Sequence, residues 1–134
     1  GAKCWPGPVS YEERLRLHQS AKIGVNIHNG YDLPNLGNNR LYYIPANGAL
    51  QLTDGVDYLD TIYDAGTEVV GYRDVEELIG KIEYYLSHEK ERKQISRNGY
   101  RRVMKEYRFS DITRSTGILI QKGMKRINWQ ASSP

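Results

Sequence analysis

The order of apolar runs and helix signals along the chain predicts an α/β domain, a short parallel sheet with helices on both faces. Three short runs, Lys22 to Ile27, Ala49 to Thr53 and Glu68 to Tyr72, are rich in β-branched and apolar residues and bounded by turn formers. Stretches of helical periodicity lie between them, so successive strands pair in parallel through right-handed crossovers. With 134 residues, 39% of them hydrophobic, the chain has room for one core and one domain. Residues 1–127 are expected to form it, with 128–134 a disordered tail.

The chain opens with an extended segment and a turn, since Pro6, Gly7 and Pro8 continue neither a helix nor a central strand. Ser10 with Glu13 three residues on is a capping box, and it starts a helix carrying Leu15, Leu17, His18 and Ala21. His18 is expected to be a surface or boundary residue rather than a ligand. After the first strand, the Asn-, Gly- and Pro-rich loop from His28 to Asn38 exceeds the usual strand-to-helix length of about 2–6 residues. Loops of that kind often carry function. Asn39 to Asn47 is predicted helical despite Pro45, with Gly48 as its stop.

The second strand, Ala49 to Thr53, turns at Asp54 and Gly55, and a short helical segment follows from Asp57 to Tyr63. Ala65 and Gly66 break it ahead of the third strand, Glu68 to Tyr72. Asp74 caps the next helix, with Glu77 at its third position and Val75, Leu78, Ile79, Ile82 and Leu86 as the expected inward stripe. A further helix restarts at Ser87 to Glu89 and runs to about Tyr107, with Ile95 and Val103 inward and Gly99 as a weak point costing about 1 kcal/mol against alanine. Ser110 and Asp111 are expected to cap a last helix carrying Ile112, Ile118, Leu119 and Met124.

Composition narrows the function classes. A mean hydropathy of −0.67 and the lack of any apolar run near the roughly 18 residues of a membrane span describe a chain that is not expected to cross a bilayer. The single cysteine, Cys4, cannot form an internal disulfide and fits a reducing compartment, so the cytoplasm is the expected location. A net charge of +3 is mild, and the Lys and Arg residues dense after position 90 are expected to be a solvated helical face. Nucleic-acid binding through Tyr100, Arg101, Arg102, Tyr107 and Arg108 is the lesser alternative, because no base-reading module accompanies them. Eleven tyrosines against one phenylalanine point to half-exposed aromatic packing. Scattered histidines and the lone cysteine make no metal site, and there is no G-x-G-x-x-G, P-loop or nucleophile elbow.

In open parallel sheets ligands bind beyond the carboxyl ends of the strands. That places His28, Asn29, the helix start at Asn38, Asn39 and Arg40, and also Thr53, Asp54, Tyr72 and Arg73 on one rim. Arg40 is locally anomalous, since a cation in a first helical turn opposes the peptide dipoles. A bound anion would resolve the conflict, with the guanidinium pairing bidentately to phosphate oxygens. A salt bridge to Asp32 or Asp54 would resolve it equally. His28 could donate to a ligand or act as a base, or be a loop histidine bonded to backbone.

The succession AKIGVNIHN, NNRLYYIPANGALQLTD and EVVGYRDVEELIGKIEYYLSHEKERKQISRNGYRRVMKEY resembles the carboxy-terminal lobe of the CgeB-like (spore-maturation-protein-like) glycosyltransferases, which belong to the two-lobed GT-B type. The likeness runs roughly from Tyr11 to Tyr107. It implies an incomplete Rossmann-like three-layer domain that binds a nucleotide sugar at the carboxyl edge of its sheet, with no metal or other cofactor because basic side chains meet the phosphate charge. The family pattern of arginine, two residues, glutamate and a small-residue Ala-x-Gly maps onto Arg40 and onto Ala46, Asn47 and Gly48. The resemblance thus assigns Asn38, Asn39 and Arg40 to the donor diphosphate, and His28, Asn29, Tyr43, Thr53 and Asp54 to the vicinity of the nucleoside or sugar.

Tyr43 stands where the family has the ribose-binding glutamate, and one phenol oxygen cannot accept from both ribose hydroxyls as a carboxylate does. The resemblance also implies an amino-terminal lobe that binds the acceptor, and further strands upstream of Gly1. The chain is therefore expected to be a fragment of a longer transferase or a single-lobe relative, inactive by itself. The competing class is a non-catalytic interaction module that keeps the fold with a degenerate donor site.

Overall fold

The computed structural model describes residues 7–28, 38–55, 59–108, 110 and 118. Their elements run in the order α1 (Tyr11–Ser20), β1 (Ile23–Asn26), α2 (Arg40–Ala46), β2 (Leu50–Thr53), β3 (Val70–Gly71), α3 (Val75–Ser87) and α4 (Glu89–Glu106). The strands form one parallel sheet in the order β1-β2-β3. Ile23 to Asn26 pair in step with Leu50 to Thr53, and Leu52 and Thr53 pair with Val70 and Gly71. This is the predicted α/β architecture, an incomplete Rossmann-like domain.

Strand periodicity sorts the side chains onto two faces. Gly24 and Asn26 share one face with their partners Gln51 and Thr53. Helix α2 packs there so closely that a Cβ on Gly24 would lie 2.6 Å from Ile44 Cγ2. Leu50, Leu52 and Val70, on the other face, cluster with Tyr72, Tyr85 and Ile95, and with the half-buried Ile23, Leu78 and Ile82. A separate cluster behind α2 joins Leu41, Leu59, Ile62, Tyr63, Val69 and Val103. Leu41, Leu50, Leu52, Leu59 and Val69 are wholly inaccessible, each contributing about 1.5–3 kcal/mol of burial.

Helix α4 ties the two clusters together, with Ile95 in one and Val103 in the other. It crosses the amino edge of the sheet. Ser96 Oγ donates to the Gly48 carbonyl (2.5 Å) just before β2, and Asn98 Nδ2 donates to the Thr67 carbonyl (3.1 Å) just before β3. Gly99 sits at the crossing, where a Cβ would meet the Glu68 carbonyl oxygen. The expected weak point is thus a required close approach.

Pro45 lies within α2 and has no N–H to offer the Leu41 carbonyl one turn back. The Tyr63 hydroxyl takes that place, donating to Leu41 O at 2.9 Å. Burial, followed by the neighbouring Tyr42 and Tyr107 phenols, pushes the Tyr63 pKa far up, so the hydroxyl remains a donor. Helix α2 then stops at Gly48, whose φ of +81° only glycine adopts readily.

The capping boxes differ in detail. Ser10 and Glu13 cap each other's backbone N–H as predicted. Asp74 accepts from Glu77 N, whereas the Glu77 carboxylate reaches one residue further back, to Arg73 N. Helix α1 buries none of its residues, and Leu17 is exposed.

Two predictions are corrected. The third strand is only two residues long, because Val69 leaves the β2 ladder for a bridge to Ala65. The inward face of α3 is Leu78, Ile82 and Tyr85, while Val75, Ile79 and Leu86 face solvent. Leu78 and Ile82 are inward as predicted, and the Tyr85 ring packs on the sheet where Leu86 was expected. The segment from Asp57 begins within the described residues at Leu59 and forms a turn, with Ile62 N and Tyr63 N both donating to Leu59 O. The predictions for Gly1 to Pro6, for the loop including Asn29 and Asp32, and for the last helix and tail lie outside the described residues, except at Ser110 and Ile118.

Candidate functional site

The carboxyl ends of β1 and β2 bring together Asn26, His28, Thr53 and Asp54, with Arg40 at the start of α2 and Tyr72 after β3. Parallel pairing causes this, since in-step Asn26 and Thr53 make residues 28 and 54 emerge side by side.

Asn26 is at the centre. Its side chain is fully buried on the α2 face of the sheet. Arg40 Nε donates to Asn26 Oδ1 at 3.0 Å, and Arg40 Nη2 donates to the Ile27 carbonyl at 2.7 Å. Because guanidinium only donates, the carboxamide oxygen must face Arg40 and its nitrogen must face Thr53. Asn26 Nδ2 accordingly donates to Thr53 Oγ1 (3.2 Å), which donates in turn to the Asp54 carbonyl (3.0 Å). The Asn26 main-chain oxygen accepts from both Asp54 N (3.3 Å) and the Tyr72 hydroxyl (3.0 Å). Burial first, then the Asp54 carboxylate, raises the Tyr72 pKa and keeps that hydroxyl a donor.

The second arm is His28. Its backbone N–H lies 3.0 and 2.8 Å from the two Asp54 carboxylate oxygens, and its Nδ1 lies 2.5 Å from Oδ1. A carboxylate only accepts, so Nδ1 carries the hydrogen in this contact. Asp54, one of the two proposed carboxylate partners of Arg40, is thus turned to His28. Among the described residues Arg40 donates to Asn26 and Ile27, and its other proposed partner, Asp32, lies outside them. The ring and the backbone N–H of His28 both meet the Asp54 side chain, which differs from the alternative of a loop histidine bonded to backbone.

The helix start differs from an open amide cradle. Asn39 makes no side-chain cap, and Asn38 Oδ1 accepts from Leu41 N at 3.3 Å. Tyr42 N and Tyr43 N both donate to the Asn39 carbonyl. First-turn amides from Leu41 onward are therefore engaged, and α2 is only seven residues long. Any anion attraction at this edge falls mainly to the Arg40 side chain.

Tyr43 packs edge-on against the His18 ring at 4.8 Å between centroids. Its hydroxyl is buried and has no hydrogen-bond partner among the described residues. His18, predicted to be a boundary residue, has its pKa lowered by burial and then by the Arg14 charge. Thr53 is fully buried under the rim, where it anchors Asn26. Arg73 is exposed and Asn29 lies outside the described residues.

A cleft beside α2 is lined by Asn39, Tyr42, Tyr43, Ala46, Val103 and Tyr107. On α4, Arg92 is buried and donates to the Tyr85 carbonyl, and Arg102 donates to the Ile62 carbonyl and Glu106. Part of the basic helix is therefore committed to holding the fold. Among the described residues no group of three or more His, Cys, Asp or Glu could hold a metal, and no helix is long and apolar enough to cross a membrane.

Asn26 and Tyr72 are the contributors whose roles sequence reasoning missed. Asn26 was signalled by a polar side chain at the end of an otherwise apolar strand, on the same alternate face as Gly24. No curated protein sequence matches the chain. The profile of the glycosyl transferase-like family matches residues 2–115, most of the sequence, and the chain belongs to that family.

Proposed function

We propose that this chain is the nucleotide-sugar donor-binding lobe of a metal-independent, GT-B type glycosyltransferase, related to the CgeB-like enzymes and working in the cytoplasm. The observation that carries this is the Arg40 guanidinium fixed at the carboxyl edge of the sheet in a chain of the glycosyl transferase-like family. A held guanidinium offers a donor diphosphate charge and geometry at small entropic cost. Asn38 and Asn39 precede it, and His28 approaches from the preceding strand. Transfer itself needs an acceptor and a base, which in this proposal come from a second lobe, so the isolated chain binds donor without turning it over.

A second function, a non-catalytic interaction module, is favoured by one observation. The Tyr43 hydroxyl is buried and packed beside His18, where the family glutamate would meet the ribose. Calorimetric titration of wild type, Arg40→Ala and Tyr43→Glu with uridine and guanosine diphosphate sugars separates the two. The donor lobe predicts measurable wild-type affinity that Arg40→Ala abolishes. Affinity found only in Tyr43→Glu would show a degenerate site and refute donor binding by the present chain.

A further inference from the structure

We propose that Asn26 is the positioning residue of the rim, a buried carboxamide that sets the Arg40 guanidinium for an incoming diphosphate; the ligand part of this inference rests on the donor-binding function proposed above. The hydrogen bonds form one directed chain. Arg40 Nε–H donates to Asn26 Oδ1, Asn26 Nδ2–H to Thr53 Oγ1, and Thr53 Oγ–H to the Asp54 carbonyl. Each donor in such a series polarises the next, and no member can reverse without facing Arg40 with another donor.

Burial makes the arrangement rigid. Asn26 and Thr53 are both fully buried, and their backbones are locked in register between β1 and β2. The Asn26 main chain is fastened from two further sides by Tyr72 and Asp54. A neutral acceptor also suits the role. A carboxylate at position 26 would hold the guanidinium as firmly but place a negative charge against it, whereas the carboxamide orients Arg40 without adding one. Asn26 itself lies under the rim and acts through Arg40.

The test uses the whole chain, with uridine diphosphate as probe, and compares Asn26→Ala, Asn26→Asp and Thr53→Val with wild type. Two quantities are read well below each variant's melting temperature: the hydrogen-exchange rate of the Arg40 Nε–H in nitrogen-edited NMR spectra, and the affinity for uridine diphosphate. Asn26→Ala should speed exchange at Arg40 Nε–H and weaken binding about tenfold, the equivalent of one lost charge-assisted hydrogen bond. Asn26→Asp should keep the Nε–H protected yet weaken binding by a similar factor. Thr53→Val, which removes only the hydroxyl beneath Asn26, should also speed exchange, and it serves if Asn26→Ala does not fold.

A purely structural Asn26 would lower the melting temperature in these variants and leave Nε–H exchange and affinity unchanged. That result would overturn the inference. Wild-type protein that binds no uridine diphosphate would count against the donor function, and the exchange rates would still decide whether Asn26 holds Arg40.

Discussion

Two glycines, both in the middle of helices, should respond in opposite ways to the same added methyl group. At Gly80 in α3 nothing lies within 4 Å of an added Cβ. Gly80→Ala therefore gains only the helix propensity difference, about 1 kcal/mol of stability. At Gly99 in α4 the added Cβ falls well inside van der Waals contact with the Glu68 carbonyl oxygen and 3.5 Å from Pro45 Cβ. The obstacle is backbone, fixed on one side by β3 and on the other by Asn98 donating to Thr67 O, so α4 has to lift from the sheet edge. Overpacking of this kind costs typically about 1–3 kcal/mol, and more where backbone meets the new atom, which outweighs the propensity gain. Urea unfolding followed by far-ultraviolet circular dichroism measures both variants. Gly80→Ala should shift the midpoint up and Gly99→Ala down. A Gly99→Ala protein as stable as wild type would refute the close crossing of α4 under the sheet.

Tyr63→Phe removes the buried hydroxyl that donates to Leu41 O beside Pro45; a loss of about 0.5–1.5 kcal/mol, the net worth of one hydrogen bond, is expected in the same unfolding assay. His18 has a lowered pKa in the folded state, so the unfolded chain binds more protons as pH falls below 6.5 and stability should drop there. Melting temperatures between pH 7.5 and 5.5 should show that decline, and His18→Gln should flatten it. Arg40→Lys keeps the charge but cannot bridge Asn26 Oδ1 and Ile27 O with one planar fork. Its affinity for uridine diphosphate should fall about tenfold, the equivalent of one lost charge-assisted hydrogen bond, and full retention would show that charge alone suffices.

Local chemistry made much of the fold legible. The capping signals at Ser10 and Asp74, the glycine stop at Gly48 and the first two apolar strands act within a few residues, and the structure places each where the sequence indicates. What was not legible depends on contacts distant in sequence. Gly99 looks like a propensity defect until Glu68, 31 residues earlier, is found against it. The α3 stripe contains two overlapping apolar helical faces, and only the position of the sheet selects Leu78, Ile82 and Tyr85 over Val75, Ile79 and Leu86.

At the rim, topology alone gathers His28, Arg40, Thr53 and Asp54, since residues following in-step parallel strands must emerge together. The division of partners among them was not legible. Arg40 could have met Asp54 by charge, but the Asp54 carboxylate lies against the backbone N–H of His28 and its ring, while Asn26 faces Arg40 from beneath. Geometry within a few ångströms decides that division, and sequence spacing carries no such information.

Donor binding at the carboxyl edge is tested most directly by titrating the isotope-labelled chain with uridine and guanosine diphosphate sugars and following its amide resonances. Binding at the proposed site shifts the amides from Asn38 to Ala46 together with that of His28, and the changes vanish in Arg40→Ala. No shift at these amides at millimolar ligand would contradict a nucleotide-sugar site in this chain.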